Sequence, residues 1–133
     1  MNRKQVFIID DSNTNLLLLE DILKEDGYDV KTDDNPKRAL QKIKDSPPDL
    51  VLLDLLMPVI DGFEFIEQIE PKNIPIIIIS ADRNPKNIKR ARQMGVYDYI
   101  VKPINVKNIK AKVRDVLNYN NKNLKEFAYG NNN

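Results

Sequence analysis

The stretch that decides the fold is Asp49–Gly62, which reads DLVLLDLLMPVIDG. Residues 50–53 form an unbroken apolar run, which is typical of a strand covered on both faces. The run ends at Asp54, whose charge is costly to bury without a partner. The proline and glycine that follow favour a turn. We therefore predict a buried strand over Leu50–Asp54 that brings this carboxylate to the edge of a sheet, although an isolated aspartate here could equally be a helix cap or turn residue.

The length and composition limit the classes of protein that are possible. With 133 residues the chain has the size of one domain. Apolar residues make up 41% and charged residues 31%, which is typical of a soluble globular protein. No run approaches the ~20 apolar residues of a membrane span, and from the opening MNRKQ we expect no secretory signal. We expect one soluble cytoplasmic domain, and the net charge of +1 excludes no class of partner.

The chain contains no cysteine and no histidine. The first absence excludes disulfides and thiol chemistry, and the second removes the commonest metal ligand and general base. Any chemistry must therefore use carboxylates, hydroxyls and lysines.

Short apolar runs alternate with helical patterns along the chain. The runs predict strands at Val6–Ile9, Tyr28–Thr32, Leu50–Asp54, Pro75–Ser80 and Val96–Val101. Helices are predicted after Ser12 or Asn13, after Asn35-Pro36, over Phe63–Ile69, after Asn84-Pro85 and over about Asn105–Asn118. Such alternation with short connections is typical of a parallel sheet covered by helices on both faces. We therefore predict a doubly wound α/β fold.

Polar side chains follow the predicted strands at their carboxyl ends, where sites form in sheets of this kind. They are Asp10, Asp11, Asp54, Ser80 and Lys102. Each has an ordinary interpretation alone, as a helix entry, a cap or a solvated strand end. Their convergence on one edge of the sheet instead indicates a functional site.

The residue types indicate phosphoryl chemistry at that edge. Three crowded carboxylates favour a divalent cation, and all-oxygen ligands suit Mg²⁺. Lys102 supplies a positive charge for an anion, and the Ser80 hydroxyl can donate a hydrogen bond to it. A carboxylate can act as the nucleophile in phosphoryl transfer. Asp54 is the candidate because the cation and the lysine would flank it.

These residues together resemble the receiver domain of two-component response regulators. The resemblance rests on Asp10-Asp11, on Asp54 in DLLMPVIDG, on Ser80-Ala81 and on YDYIVKPI at residues 97–104, and it covers about Lys4 to Leu117. It implies a flavodoxin-like (βα)5 fold with a five-stranded parallel sheet in the order 2-1-3-4-5. It also implies a phosphoacceptor regulatory domain that is not an enzyme.

The resemblance assigns roles to the site residues. Asp54 would accept a phosphoryl group from the phosphohistidine of a histidine kinase or a histidine phosphotransfer protein. Asp11, Asp54 and the backbone carbonyl of Leu56 would bind Mg²⁺ directly, with Mn²⁺ as a substitute, and Asp10 would act through water. Lys102 and Ser80 would hold the phosphoryl oxygens.

The resemblance also implies a switch. Ser80 would move toward the phosphoryl group, Tyr99 would turn inward, and the peptide bond before Pro103 would be cis. The fourth helix, fifth strand and fifth helix would form the face that contacts a second copy or an output partner.

Basic residues cluster on those helices, at Lys86, Lys89, Arg90, Arg92, Lys107, Lys110, Lys112 and Arg114. They are either a solvated surface or part of this face, and we expect no nucleic-acid binding because no reader motif accompanies them.

A second class of protein stays open at this point. Phosphohydrolases of the haloacid dehalogenase type also combine an aspartate nucleophile, a hydroxyl, a lysine and Mg²⁺. That class places an acid/base aspartate two residues after the nucleophile, where this chain has Leu56.

Among receivers, the positions of Leu56 and Asp82 influence the lifetime of the aspartyl phosphate.

The last residues have a different composition. Seven of the sixteen residues at 118–133 are asparagine, which favours disorder. We predict a receiver domain over residues 1–118 and an Asn-rich tail over 119–133, which is either the end of a single-domain receiver or a linker to a further domain.

Overall fold

A computed structural model describes residues 3–58 and 60–128, and the side chains among them up to residue 118. Strands and helices alternate in the described residues. The strands are β1 Gln5–Ile9, β2 Asp29–Asp33, β3 Leu50–Leu53, β4 Ile76–Ser80 and β5 Asp98–Val101. The helices are α1 Asn13–Glu25, α2 Pro36–Asp45, α3 Gly62–Gln68, α4 Pro85–Gln93 and α5 Val106–Ala128. The predicted βα alternation is confirmed.

The strands form a parallel sheet in the order β2-β1-β3-β4-β5, as predicted. The order reverses beside β1, which pairs with both β2 and β3. In the register of β1 with β3, Ile9 lies opposite Leu53. The next residues, Asp10 and Asp54, therefore leave neighbouring strands at the same level.

Helices cover both faces of the sheet, and the apolar side chains form one cluster on each side. Val6 and Ile8 of β1 join the cluster with α1 and α5, whereas Phe7 and Ile9 join the cluster with α2, α3 and α4. Neighbouring residues of a strand point to opposite faces, which produces this alternation. Residues 50–53 are at most 1% exposed because β3 lies at the centre of the sheet. This double burial explains their unbroken apolar run.

Short polar side chains cap the helices as the sequence predicts. Ser12 accepts the backbone N–H of Asn15, which identifies it, rather than Asn13, as the cap of α1. Asn35 and Asn84 cap α2 and α4 in the same way, and each precedes a proline at the first helical position.

Several boundaries differ from the prediction by one or two residues. β2 runs to Asp33 rather than Thr32, because the register with β1 continues to the pair Ile9 and Asp33. β5 begins at Asp98 rather than Val96. Val106 shares the helical spacing of the core residues of α5, but it lies at the start of that helix and is 43% exposed.

Helix α5 continues to Ala128 instead of ending near Asn118. Extending an existing helix needs no new nucleus, so weak helix formers such as asparagine can join it at small cost. Residues 129–133 of the predicted tail lie outside the described residues. The division into residues 1–118 and 119–133 stays a prediction.

Gly62 at the start of α3 packs against the backbone that follows β3. Its N–H donates to the Leu55 carbonyl at 2.9 Å. A Cβ atom added there would lie 2.6 Å from the Leu55 Cα and 3.2 Å from the Asp54 carbonyl oxygen. Only glycine permits α3 to approach the Leu55 backbone this closely. The contact holds the segment after Asp54 in place.

We predict that Gly62→Ala destabilises the protein by about 1–3 kcal/mol, the usual cost of overpacking. The clash involves backbone, so it should also shift the amide resonances of Leu55 and Leu56 in NMR spectra. Gly27→Ala is the matched control. Gly27 has a φ of 88° and open space around it, so alanine there should cost about 1–2 kcal/mol by backbone strain without shifting those two resonances. Equal spectra for both variants would show that the Gly62 contact does not hold the loop.

Candidate functional site

Lys102 lies between two aspartates at the carboxyl edge of the sheet. Its Nζ is 3.1 Å from Oδ2 of Asp10 and 3.1 Å from Oδ2 of Asp54. Asp10 follows β1, Asp54 follows β3 and Lys102 follows β5, so the contacts join residues from three strands. The convergence predicted from the strand ends is therefore present in the structure.

Both of these aspartates are buried, and each accepts further hydrogen bonds. Asp10 is 2% exposed and accepts the Ser12 N–H at 2.9 Å and the Asn15 amide at 3.3 Å. Asp54 is 6% exposed and accepts the Leu56 N–H at 3.0 Å on Oδ1. These contacts and the lysine partly compensate the cost of burying two negative charges.

Asp11 completes an acidic cluster at this edge. One carboxylate oxygen of each of Asp10, Asp11 and Asp54 lies within 4.8 Å of the others. Asp11 is exposed. Partial desolvation of its carboxyl at this crowded edge, and then repulsion from Asp10 and Asp54, raise its pKa above the usual value. Three carboxylates against one ammonium leave the site net negative, so the donor set fits a hard divalent cation.

Lys102 stays protonated in this environment. Burial lowers its pKa, but the hydrogen bond and charge of Asp54 and the charge of Asp10 outweigh burial, and the net shift is upward. The peptide bond from Lys102 to Pro103 is cis, as the resemblance implies. Lys102 is also linked to β4, because its N–H donates to the Ser80 carbonyl at 2.8 Å.

Ser80 and Tyr99 meet at the loop between β4 and α4. Ser80 is fully buried, and its Oγ accepts the Asp82 N–H at 3.2 Å. The Tyr99 hydroxyl donates to the Asp82 carbonyl at 2.6 Å. Tyr99 is 8% exposed, and burial raises the pKa of its hydroxyl. The Tyr99 side chain is therefore largely buried and hydrogen-bonded to this loop. Its movement on phosphorylation stays a prediction.

Sequence reasoning missed two residues that hold Asp10 in place. Asn15 donates its amide to Asp10 across a spacing that matches no local motif. Asp33 ends β2, and its carbonyl accepts the Asp10 N–H at 3.3 Å. The rule that selected Asp10 applies to Asp33 as well, because Asp33 directly follows the predicted strand Tyr28–Thr32 just as Asp10 follows Val6–Ile9.

The Asp33 side chain forms a second ionic cluster. It is 1% exposed, and it contacts Arg38 through two parallel hydrogen bonds of 2.9 and 2.7 Å and Lys42 at 3.0 Å. Burial raises the pKa of Asp33, but the bonds from Arg38, the Asn35 N–H and Lys42 outweigh it and hold the pKa below its usual value. Since its partners lie on α2, this cluster ties that helix to β2.

Several of the predicted basic residues have partners within the domain. Arg90 stacks on the Phe63 ring at 4.0 Å. Lys110 contacts Glu25 at 3.0 Å, and Lys112 contacts Asp98 at 2.7 Å. These three cations connect helices α4 and α5 to the rest of the fold rather than forming a free basic surface.

The described residues contain no helix that is both long and apolar enough to cross a membrane.

Comparison with known proteins identifies the family. Residues 6–114 match the model of the response regulator receiver domain. The transcriptional regulatory protein KdpE of Staphylococcus aureus is 39% identical over 84% of this chain, and the regulator PhoP of Bacillus subtilis is 31% identical over 88%. The match covers 49% of each relative, so the chain spans about half their length. Nothing in these matches favours the phosphohydrolase alternative.

A solved structure agrees with the fold. The CheY-like receiver domain protein of Methanospirillum hungatei superimposes with a TM-score of 0.86 at 25% identity, over 92% of this chain and 99% of that one. With the strand order, this likeness confirms the predicted flavodoxin-like fold. The chain therefore belongs to the family of response regulator receiver domains and has the phosphoacceptor signalling role of that family.

Proposed function

We propose that Asp54 is the residue that accepts the phosphoryl group. The observation that carries this is the position of Lys102, 3.1 Å from the Asp54 carboxylate and the same distance from Asp10. An ammonium held there can neutralise an incoming phosphoryl group without leaving its place. Asp10 is enclosed by Asn15, Ser12 and Lys102, so Asp54 is the buried carboxylate better able to react.

The reaction is a transfer between two carriers. A carboxylate oxygen of Asp54 attacks the phosphorus of a phosphohistidine, a P–O bond forms and the P–N bond to imidazole breaks. The imidazole nitrogen takes up a proton as it leaves. Lys102 then balances the charge of the transferred group, and the Ser80 hydroxyl donates a hydrogen bond to one of its oxygens. Positioning and charge neutralisation suffice for this chemistry.

A divalent cation, Mg²⁺ or in its place Mn²⁺, belongs to the proposed site. Asp11, Asp54 and the Leu56 carbonyl would hold it directly, and Asp10 would do so through water. When bound, it neutralises charge on the phosphoryl oxygens. The crowding of the carboxylates supports this role, since like charges at this separation raise the free energy of the unliganded site.

The same proposal covers the partners and the output. A histidine kinase or a histidine phosphotransfer protein is the donor, and the setting is the cytoplasm. The chain acts as a regulatory domain and catalyses only its own phosphorylation and dephosphorylation. The output face consists of α4, β5 and α5, and it binds a second copy or an output partner.

We predict that acetyl phosphate with Mg²⁺ labels Asp54, and that Asp54→Asn abolishes the label. The amide keeps an oxygen for the Leu56 N–H but is not a nucleophile. Mass spectrometry of the trapped product measures the modified position. Asp61→Asn is the control, because asparagine caps α3 as well as aspartate does, and it should label normally. Label on Asp11 or Asp61 with Asp54 unmodified would contradict the assignment.

We predict opposite effects of Asp11→Asn on two measurements. Mg²⁺ affinity should fall at least about tenfold because a direct ligand is lost. The melting temperature without metal should rise, since one of three repelling charges is removed. Asp21→Asn removes an exposed charge from α1, away from the site, and should change neither quantity. An unchanged Mg²⁺ titration, followed by tyrosine fluorescence or NMR, would place the metal elsewhere.

We predict that beryllofluoride, a stable phosphoryl mimic, shifts NMR amide signals in residues 81–95 and 96–112. Tyr99→Ala should keep beryllofluoride binding but weaken the shifts in α4, because the ring and its bond to Asp82 are lost. Tyr28→Ala serves as the control, since this half-buried tyrosine packs on the opposite face of the sheet. Shifts concentrated in residues 13–34, with α4 silent, would refute the proposed output face.

A further inference from the structure

Asp82 connects the site to helix α4. Among the described residues it takes part in four hydrogen bonds, and two of these use its backbone. Its N–H donates to Ser80 Oγ at 3.2 Å, and its carbonyl accepts from the Tyr99 hydroxyl at 2.6 Å. The Asp82 backbone is therefore bonded both to the proposed phosphoryl-binding hydroxyl and to the proposed switch tyrosine.

The other two hydrogen bonds use the Asp82 carboxylate, and they lead into α4. Oδ1 accepts the Asn84 N–H at 2.9 Å, at the cap of the helix. Oδ2 accepts from Nδ2 of Asn87, in the first turn of α4, at 2.7 Å. The bond to Asn84 spans two residues and is a local turn contact. The bond to Asn87 joins the loop to the body of the helix.

Among the described residues, little else fixes the first half of α4. Ala91 is its one fully buried residue, and Ile88 is only partly buried. Arg90 contributes the stacking contact with Phe63. With so few core contacts, one short hydrogen bond to a carboxylate is a substantial part of what holds the loop and the helix together.

We propose that the Asp82–Asn87 pair is a latch that holds Ser80 in its position without phosphate, so that Asn87 is a positioning residue for the switch. This rests on the proposed function, in which Ser80 moves toward a phosphoryl group on Asp54. Because Ser80 Oγ accepts the Asp82 N–H, a movement of Ser80 that keeps this bond carries Asp82 along. Displacement of Asp82 lengthens the bond to Asn87, and α4 is released.

The latch sets the free-energy difference between the two states of the loop. A contact made only in the unphosphorylated state opposes binding of a phosphoryl mimic by its own net free energy. Removing it should tighten mimic binding roughly threefold to tenfold, as expected for the net contribution of one hydrogen bond to a charged group that is partly exposed. Mg²⁺ binding without the mimic should not change, because Asn87 touches none of the acidic cluster.

The test measures beryllofluoride affinity in Asn87→Ala and Asn87→Asp by NMR titration of the whole chain. Both variants should bind beryllofluoride more tightly than the wild type does. The effect of Asn87→Asp should be larger, because its carboxylate would repel that of Asp82 in the state without the mimic. Asp82 and Asn87 are partly exposed, so the variants should fold. Gln93→Ala is the matched control, since it removes an exposed amide at the other end of α4 that has no hydrogen bond within the described residues. It should bind beryllofluoride like the wild type.

A reversed pair separates positioning from general loosening of the helix. Asp82→Asn combined with Asn87→Asp restores an amide-to-carboxylate bond with donor and acceptor exchanged. The side-chain amide introduced at position 82 still has an oxygen that can accept the Asn84 N–H. The double variant should return beryllofluoride affinity to within about twofold of the wild type, which gives a non-additive double-mutant cycle. If the pair had only a structural role, the effects of the two single substitutions on beryllofluoride affinity would add instead.

The outcomes distinguish the latch from the function it serves. Wild-type affinity in both Asn87 variants, or an additive cycle, would overturn the latch while leaving phosphorylation of Asp54 intact. Failure of the wild type itself to bind beryllofluoride with Mg²⁺ would overturn the proposed function. Equal tightening by Gln93→Ala would show that any change in α4 has this effect, and would also overturn the latch.

Discussion

The ammonium of Lys102 between Asp10 and Asp54 is the interaction on which the rest of the site depends. Two carboxylates at most 6% exposed would repel each other strongly without a positive charge between them, and Lys102 contacts both at 3.1 Å. Neutralisation is incomplete because Asp11 adds a third negative charge. The domain thus keeps a site that is stable enough to fold yet still attracts a cation.

The sheet makes this contact possible by bringing distant parts of the chain to one edge. The register of β1 with β3 sets Asp10 and Asp54 side by side, and Ser80 lies opposite Val101, one residue before Lys102. Close packing maintains the arrangement, as the approach of Gly62 to Leu55 illustrates. The core therefore positions the charges. Because the core is closely packed and rigid, a change in charge at this edge would displace a loop rather than be absorbed by small shifts throughout the core.

In the proposed function, the loop after β4 is the part of the structure that responds to phosphorylation of Asp54. Its contacts among the described residues are polar and few, and they converge on Asp82, whereas the preceding strand β4 is held by buried apolar side chains. A loop of this kind opens at lower free energy than the sheet. Under the proposed function, this contrast would let the sheet hold Asp54 steady while the loop transmits its phosphorylation state to α4.

The sequence by itself determined the fold class and identified strand-end residues that the structure brings to one edge of the sheet. Their roles in phosphoryl transfer stay a proposal. Three local patterns carried the information on the fold and these residues: the apolar run of β3 ending at Asp54, the Asn-Pro starts of α2 and α4, and the polar residues at strand ends. A parallel sheet necessarily collects its strand ends at one edge.

Tertiary structure alone decided which atoms meet. Ser12 rather than Asn13 caps α1, and α5 continues past Asn118. Asn15, Asp33 and Asn87 proved to be partners of Asp10 and Asp82. These contacts depend on loop geometry and on strand register, which no local periodicity encodes, because a hydrogen bond is lost by a displacement of about 1 Å that leaves every sequence pattern unchanged.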